Sequence, residues 1–238
     1  MTSLPSSPGS GSPTAASGYL SLATAVTGCF AGLTGSFQIA PLLVLTAGLA
    51  LFVGGTALRR RGVRVSGRIL AGIGLAVVVT ACVGAFVLAP SPLGLVPILL
   101  CSVGLVSVAF ALFPTYVRWL RGLMLTGMTL VFLGIVANTV IANPPLWRSI
   151  CAVSLLLVAW DTAERGISLG EQIDNHTETA ELEFANAATT GLVAGFAVFL
   201  TLAVASLPAR TSSVLGIGLL LTAVAVFGLT FFRFPSER

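Results

Sequence analysis

Seven of the eight acidic residues, and the only histidine, fall within Trp160–Asn186, WDTAERGISLGEQIDNHTETAELEFAN. Glu171, Asp174, Glu178 and Glu181 recur at spacings of 3, 4 and 3, which puts four carboxylates on one helical face. Leu169, Ile173, Ala180 and Phe184 recur at 4, 7 and 4 and share another face. The segment therefore reads as an amphipathic helix, preceded by a turn at Gly166 and Gly170. Three roles fit the acids: a solvated face, a partner for the arginines Arg59, Arg60, Arg61, Arg64 and Arg68, or a dock for a basic cytosolic protein. Asp161 and Glu164 stand one turn apart beside Trp160. They are either an interfacial anchor or a carboxylate pair that handles protons or cations, because ionisable groups within a membrane are costly and rarely idle. These six acids and five arginines are the candidate interaction surface. His176 beside Glu178 and Glu181 makes a poor metal site, since one histidine without HExxH supplies too few ligands.

No other chemistry is expected. The chain has no glycine-rich phosphate loop, no nucleophile elbow and no cluster of ionisable groups within an apolar run. Catalytic residues, cofactors and metal are all expected to be absent. Cys29, Cys82, Cys101 and Cys151 each lie inside an apolar run with no CxxC spacing, and read as small packing residues.

The elements that position these residues are membrane spans. Of 238 residues, 56% are hydrophobic and only 8% charged, against roughly 25% charged in soluble domains. Apolar runs of about twenty residues recur, the length that crosses a ~30 Å hydrocarbon layer. The net charge of +4 is then a topology signal and not a sign of nucleic-acid binding. The expected fold is all-α, a polytopic membrane protein of about eight transmembrane helices.

Residues 1–18 are rich in Ser, Pro and Gly and read as a disordered tail. Spans are expected at Tyr19–Phe37, Ile39–Leu58, Ile69–Ala89, Leu93–Phe113, Gly122–Ala142, Leu146–Ala163, Ala187–Leu207 and Ser213–Phe232. The first two form a hairpin whose connector lies around Gln38. Gly28 and Gly32 make a GxxxG face suited to close helix approach or to a dimer. Pro90-Ser91-Pro92 and Asn143-Pro144-Pro145 are turns. The sixth span has the shortest apolar core, Ser149–Trp160, and reaches across with Arg148 at one face and Asp161 at the other. The acidic segment 161–186 is the one sizeable loop, and 233–238 a short tail. Asn138 is the main polar residue inside a span and reads as an interhelical hydrogen bonder.

With the amino terminus inside, Arg59, Arg60, Arg61, Arg64, Arg68, Arg118, Arg121, Arg165, Arg233 and Arg238 fall on the inner side, and Arg148 and Arg210 on the outer. That bias places both termini in the cytoplasm. A shift of 53 residues lays Arg68, Leu70, Gly74, Val78, Val83, Val87, Ala89, Pro92 and Leu93 on identical residues from Arg121 to Leu146. Either low complexity or a duplication produces this. A duplication would make spans 3–4 and 5–6 two parallel copies of one hairpin.

Trp160-Asp161-x2-Glu164, Leu169-Gly170-Glu171-Gln172 and Thr179-x3-Glu183-x2-Asn186-Ala187 together resemble the best-defined motif of an uncharacterised family of multi-pass membrane proteins from halophilic archaea. The absence of lysine fits that source. The family often carries a histidine where Asn186 stands, and this departure weakens a catalytic reading of that position. The resemblance implies a cell-membrane protein and a partner assembly containing a regulatory AAA-type ATPase and von Willebrand-type proteins. It implies no activity.

The reading that fits best is a non-enzymatic scaffold or anchor in the lipid bilayer, with the acidic loop as its contact surface. A small permease for a neutral or weakly polar solute is the alternative. It would require convergent polar groups at mid-depth, and the sequence has few.

Overall fold

In a computed structural model the chain is described over residues 15–89, 91–113 and 120–172 and at helical positions scattered between 188 and 203. It divides into two compact units, Met1–Ala194 and Gly195–Arg238. The first contains α1 (Ala15–Gly32), α2 (Ser36–Arg60), α3 (Arg64–Leu88), α4 (Pro92–Leu112), α5 (Leu120–Ala142) and α6 (Leu146–Gln172). In the second, the described positions between 195 and 203 are helical. No strand occurs among the described residues. Hydrocarbon offers backbone amides no partners, so apolar runs of this length satisfy them internally as helix.

Five helices, α2 to α6, are long and apolar enough to cross a membrane, and the chain is on that ground an integral membrane protein. The weakest expected span is among them, since α6 qualifies over Leu146–Ser168. Three expectations need correction. Helix α1 begins at Ala15, inside the expected tail, and ends at Gly32, five residues short of Phe37. The α1–α2 connector is Leu33–Gly35, and Gln38 belongs to the first turn of α2. Gly166 and Gly170 do not turn the chain, because α6 runs through both to Gln172. The eighth expected span, Ser213–Phe232, and the acidic stretch 173–187 lie outside the described residues.

The helices pack as three principal pairs, α2 with α3, α4 with α5, and α1 with α6. In all three pairs a glycine of one helix meets the backbone of the other. A Cβ built on Gly48 would lie 2.9 Å from the Gly74 carbonyl and from Val78, and one on Gly104 2.7 Å from the Gly127 carbonyl and from Val131. In the third pair a Cβ on Gly28 would lie 3.2 Å from the Ala152 carbonyl. Backbones this close require the smallest residues at the crossing. Gly28 and Gly32 thus pack within the chain, against α6 and against Ile135 of α5.

The 53-residue correspondence is present in this geometry, but its pairs differ from those expected. Gly74 and Val78 of α3 do match Gly127 and Val131 of α5. Their close partners are in the preceding helices, where Gly48 and Pro41 stand 56 residues before Gly104 and Pro97. The hairpins that pack closely around these residues are α2–α3 and α4–α5, more closely than α3–α4 and α5–α6. Leu42, Leu45, Leu105, Val108, Val131 and Ile135 are fully buried in the core between them.

Candidate functional site

The interior comes first, because it decides whether the bundle can hold or pass a polar ligand. Gln38 and Asn138 are buried amides at one end of the bundle. Gln38 Oε1 accepts the Gly35 N–H at 3.0 Å and its Nε2 donates to Asn138 Oδ1 at 3.0 Å. Asn138 Nδ2 donates to the Gly32 carbonyl at 2.7 Å. This chain of bonds satisfies the end of α1 and the start of α2 and ties both to α5. Nearby, the Thr139 and Ser149 hydroxyls bond at 3.0 Å between α5 and α6. Deeper in, Ser21 donates to the Ala159 carbonyl at 2.7 Å, joining α1 to α6.

Among the described residues the only buried side-chain polar atom without a partner is Arg148 Nε, in the first turn of α6, where the guanidinium lies 5.7 Å from the Trp147 ring. Ser21, Gln38, Asn138 and Ser149 thus act as links between helices, while buried Thr162 bonds the Val158 carbonyl of its own helix. The concave surface lined by Leu49, Phe52, Leu75, Val78, Val106, Ala109 and Phe110 is wholly apolar. No three His, Cys, Asp or Glu gather among the described residues, and all four cysteines are free thiols within helices.

Among the described residues the charged groups other than Arg148 sit at the opposite end. Helix direction alternates along the chain, through connectors of three residues except for the longer one between α4 and α5, so the ends of α2 and α6 and the starts of α3 and α5 share one side of the bundle. Asp161 and Glu164 are in α6, not in a loop. Asp161 pairs with Arg165 one turn on, at 3.0 Å, and Glu164 with Arg121 at the start of α5, at 3.7 Å. Side chains this exposed, at 36% to 58%, contribute at most about 1 kcal/mol per pair. The first pair lies within α6, and the second joins α5 to α6, which already pack together. Trp160 packs partly buried against the core beside them.

Arg59, Arg60, Arg61, Arg64 and Arg68 are all exposed around the α2–α3 turn. Among the described residues none of the five has an ionic partner, and neither Asp161 nor Glu164 reaches them. The turn is closed by its own backbone. Gly62 adopts φ +92°, with Gly62 N–H bonded to the Arg59 carbonyl at 3.2 Å and Val63 N–H to the Leu58 carbonyl at 3.1 Å. This is the Schellman ending of a helix, and it needs a residue free to take positive φ. Glu171 lies in the last turn of α6. Asp174, His176, Glu178 and Glu181 lie outside the described residues.

Sequence reasoning anticipated Asn138 as an interhelical bonder but missed Gln38, whose position near Gly35 suggested a connector. The available signal was an amide three residues after a glycine at a helix start, half of a capping arrangement.

A family model described as a family of unknown function, DUF7519, matches residues 70–227. No curated protein and no solved structure matches the chain. The match begins in α3, so α1, α2 and the arginines of the first turn precede it.

Proposed function

This chain belongs to DUF7519, and on that premise we propose that it is a non-enzymatic membrane scaffold or anchor whose acidic segment 161–186 is a cytoplasmic contact surface. The observation that carries the reading is the division of polarity in the bundle. The buried Ser21, Gln38 and Asn138 side chains are engaged in bonds that hold helices together, while Asp161, Glu164 and the arginines of the α2–α3 turn stand at one end. A surface built this way is suited to docking and not to passing a solute. The proposed topology is eight spans with both termini in the cytoplasm, resting on the arginine bias across the helix ends. The cell membrane of a halophilic archaeon is the proposed setting, and a cytosolic assembly with an AAA-type ATPase the proposed partner, both following from the motif resemblance.

The test is a mild-detergent pull-down of tagged full-length chain beside E171Q/D174N/E178Q/E181Q. A cytosolic partner recovered by the parent and lost by the variant is the expected result. Equal recovery overturns the acidic contact surface. Recovery by neither overturns the scaffold and turns the question to solute uptake.

A further inference from the structure

The five arginines of the α2–α3 turn enter the proposed function only through the topology bias and have no ionic partner among the described residues. Helix electrostatics account for only two of them. Arg59 and Arg60 lie in the last turn of α2, where cations complement the negative helix end. Arg64 and Arg68 lie in the first turns of α3, whose start has neither an acidic residue nor a side-chain cap. Cations there face the positive end of the dipole, an unfavourable placement unless an anion is close. A topology bias in arginine sets the side of the membrane but does not require this position.

Depth identifies the anion. Helices α2 and α3 have 25 residues each, about 37 Å at 1.5 Å per residue, against a hydrocarbon layer of about 30 Å. Their shared end therefore falls in the headgroup layer. The connector is only Arg61–Val63, too short to carry the arginines clear of the surface towards a soluble protein. Apolar side chains are interleaved with the cations: Val63, Val65 and Ile69 are 47%, 73% and 59% exposed. Apolar stems at the acyl boundary with guanidinium groups among phosphates is the arrangement that an interfacial segment adopts.

We propose that the α2–α3 turn is a docking surface for anionic phospholipid headgroups in the leaflet it faces, with Arg61, Arg64 and Arg68 binding their phosphates. The inference rests on the membrane location of the chain and is independent of the scaffold reading.

The test reconstitutes full-length protein into nanodiscs of equal phosphatidylcholine and phosphatidylglycerol. Native mass spectrometry then reads the ratio of the two lipids retained. The parent is expected to retain phosphatidylglycerol selectively. R61Q/R64Q/R68Q, which keeps Arg59 and Arg60 on α2, is expected to lose about tenfold or more of that selectivity, since one arginine near the surface contributes roughly fivefold. R61K/R64K/R68K keeps the charge and is expected to keep most of the selectivity, which separates charge from damage to the fold. No selectivity in the parent, or equal selectivity in the glutamine variant, overturns the proposal. Selectivity that emerges only in E171Q/D174N/E178Q/E181Q also overturns it, because the acidic segment would then be the occupant. Failure of the membrane reading itself would look different, as protein that is soluble without detergent and retains neither lipid.

Discussion

Two turns of equal length close opposite ends of this bundle by different means. Leu33–Gly35 joins α1 to α2 and Arg61–Val63 joins α2 to α3, three residues each. The first is sealed from inside, by the bonds from Gly35 through Gln38 and Asn138 to Gly32. The second is closed by its own backbone around Gly62, and its side chains face outward. A turn tied to a third helix fixes tertiary structure. A turn that satisfies itself leaves its side chains available to partners.

That contrast is most sharply broken at the helix crossing on which both turns depend. Gly74→Leu would drive a side chain into the backbone of Phe52 and Gly48. Neither can withdraw, so a loss of about 3 kcal/mol or more is expected, read as collapse of the monodisperse peak on size exclusion. Gly72→Leu, two residues away with nothing within 4 Å, should leave the peak unchanged. The pair of variants separates close backbone approach from a general cost of removing glycine.

Asn138→Leu comes next. It leaves the Gly32 carbonyl and the Gln38 amide buried without partners, at an expected cost of about 1–3 kcal/mol, visible as a lower midpoint of thermal unfolding in detergent. Gly62→Ala probes the other turn, where an L-residue at φ +92° should cost about 1 kcal/mol. If Gly62→Ala proved more damaging than Asn138→Leu, the inner seal would not be the stronger of the two closures. The smallest effect is expected at the charged end. Glu164→Gln removes an exposed 3.7 Å pair with Arg121, and the thermal midpoint should shift by no more than about 0.5 kcal/mol equivalent.

The candidate surface was only partly legible in the sequence. Asp161 and Glu164, which follow Trp160 at the end of an apolar run, are expected at the membrane face, and α6 carries both as helix. Asp161's partner Arg165, four residues on, was legible from spacing, but Glu164's was not, since Arg121 reaches it only through the packing of α5 on α6. Asp161 and Glu164 pair with Arg165 and Arg121 and not with the arginines of the α2–α3 turn, while Asp174, Glu178 and Glu181, of the acidic face that could mate with those arginines, lie outside the described residues.

Hydropathy is a local sum, and a span needs only enough apolar residues in a row. The sequence by itself therefore determined α2 to α6 to within a few residues at most ends, the Pro-Ser-Pro turn capped by Ser91, and the concentration of arginine at one end. Which spans pair is not a local property. It depends on where two backbones can approach, and in this chain that is set by Gly48 with Gly74, Gly104 with Gly127, and Gly28 with Ala152. One residue of each pair lies in a different helix, and the last pair brings the two ends of unit 1's helical series together. Only the tertiary structure decided that α1 packs on α6, that the closely packed hairpins begin at α2 and α4, and that Gln38 faces Asn138. An apolar helix presents lipid-compatible residues on every side, so steric fit at the backbone, and not hydrophobicity, selects its neighbour.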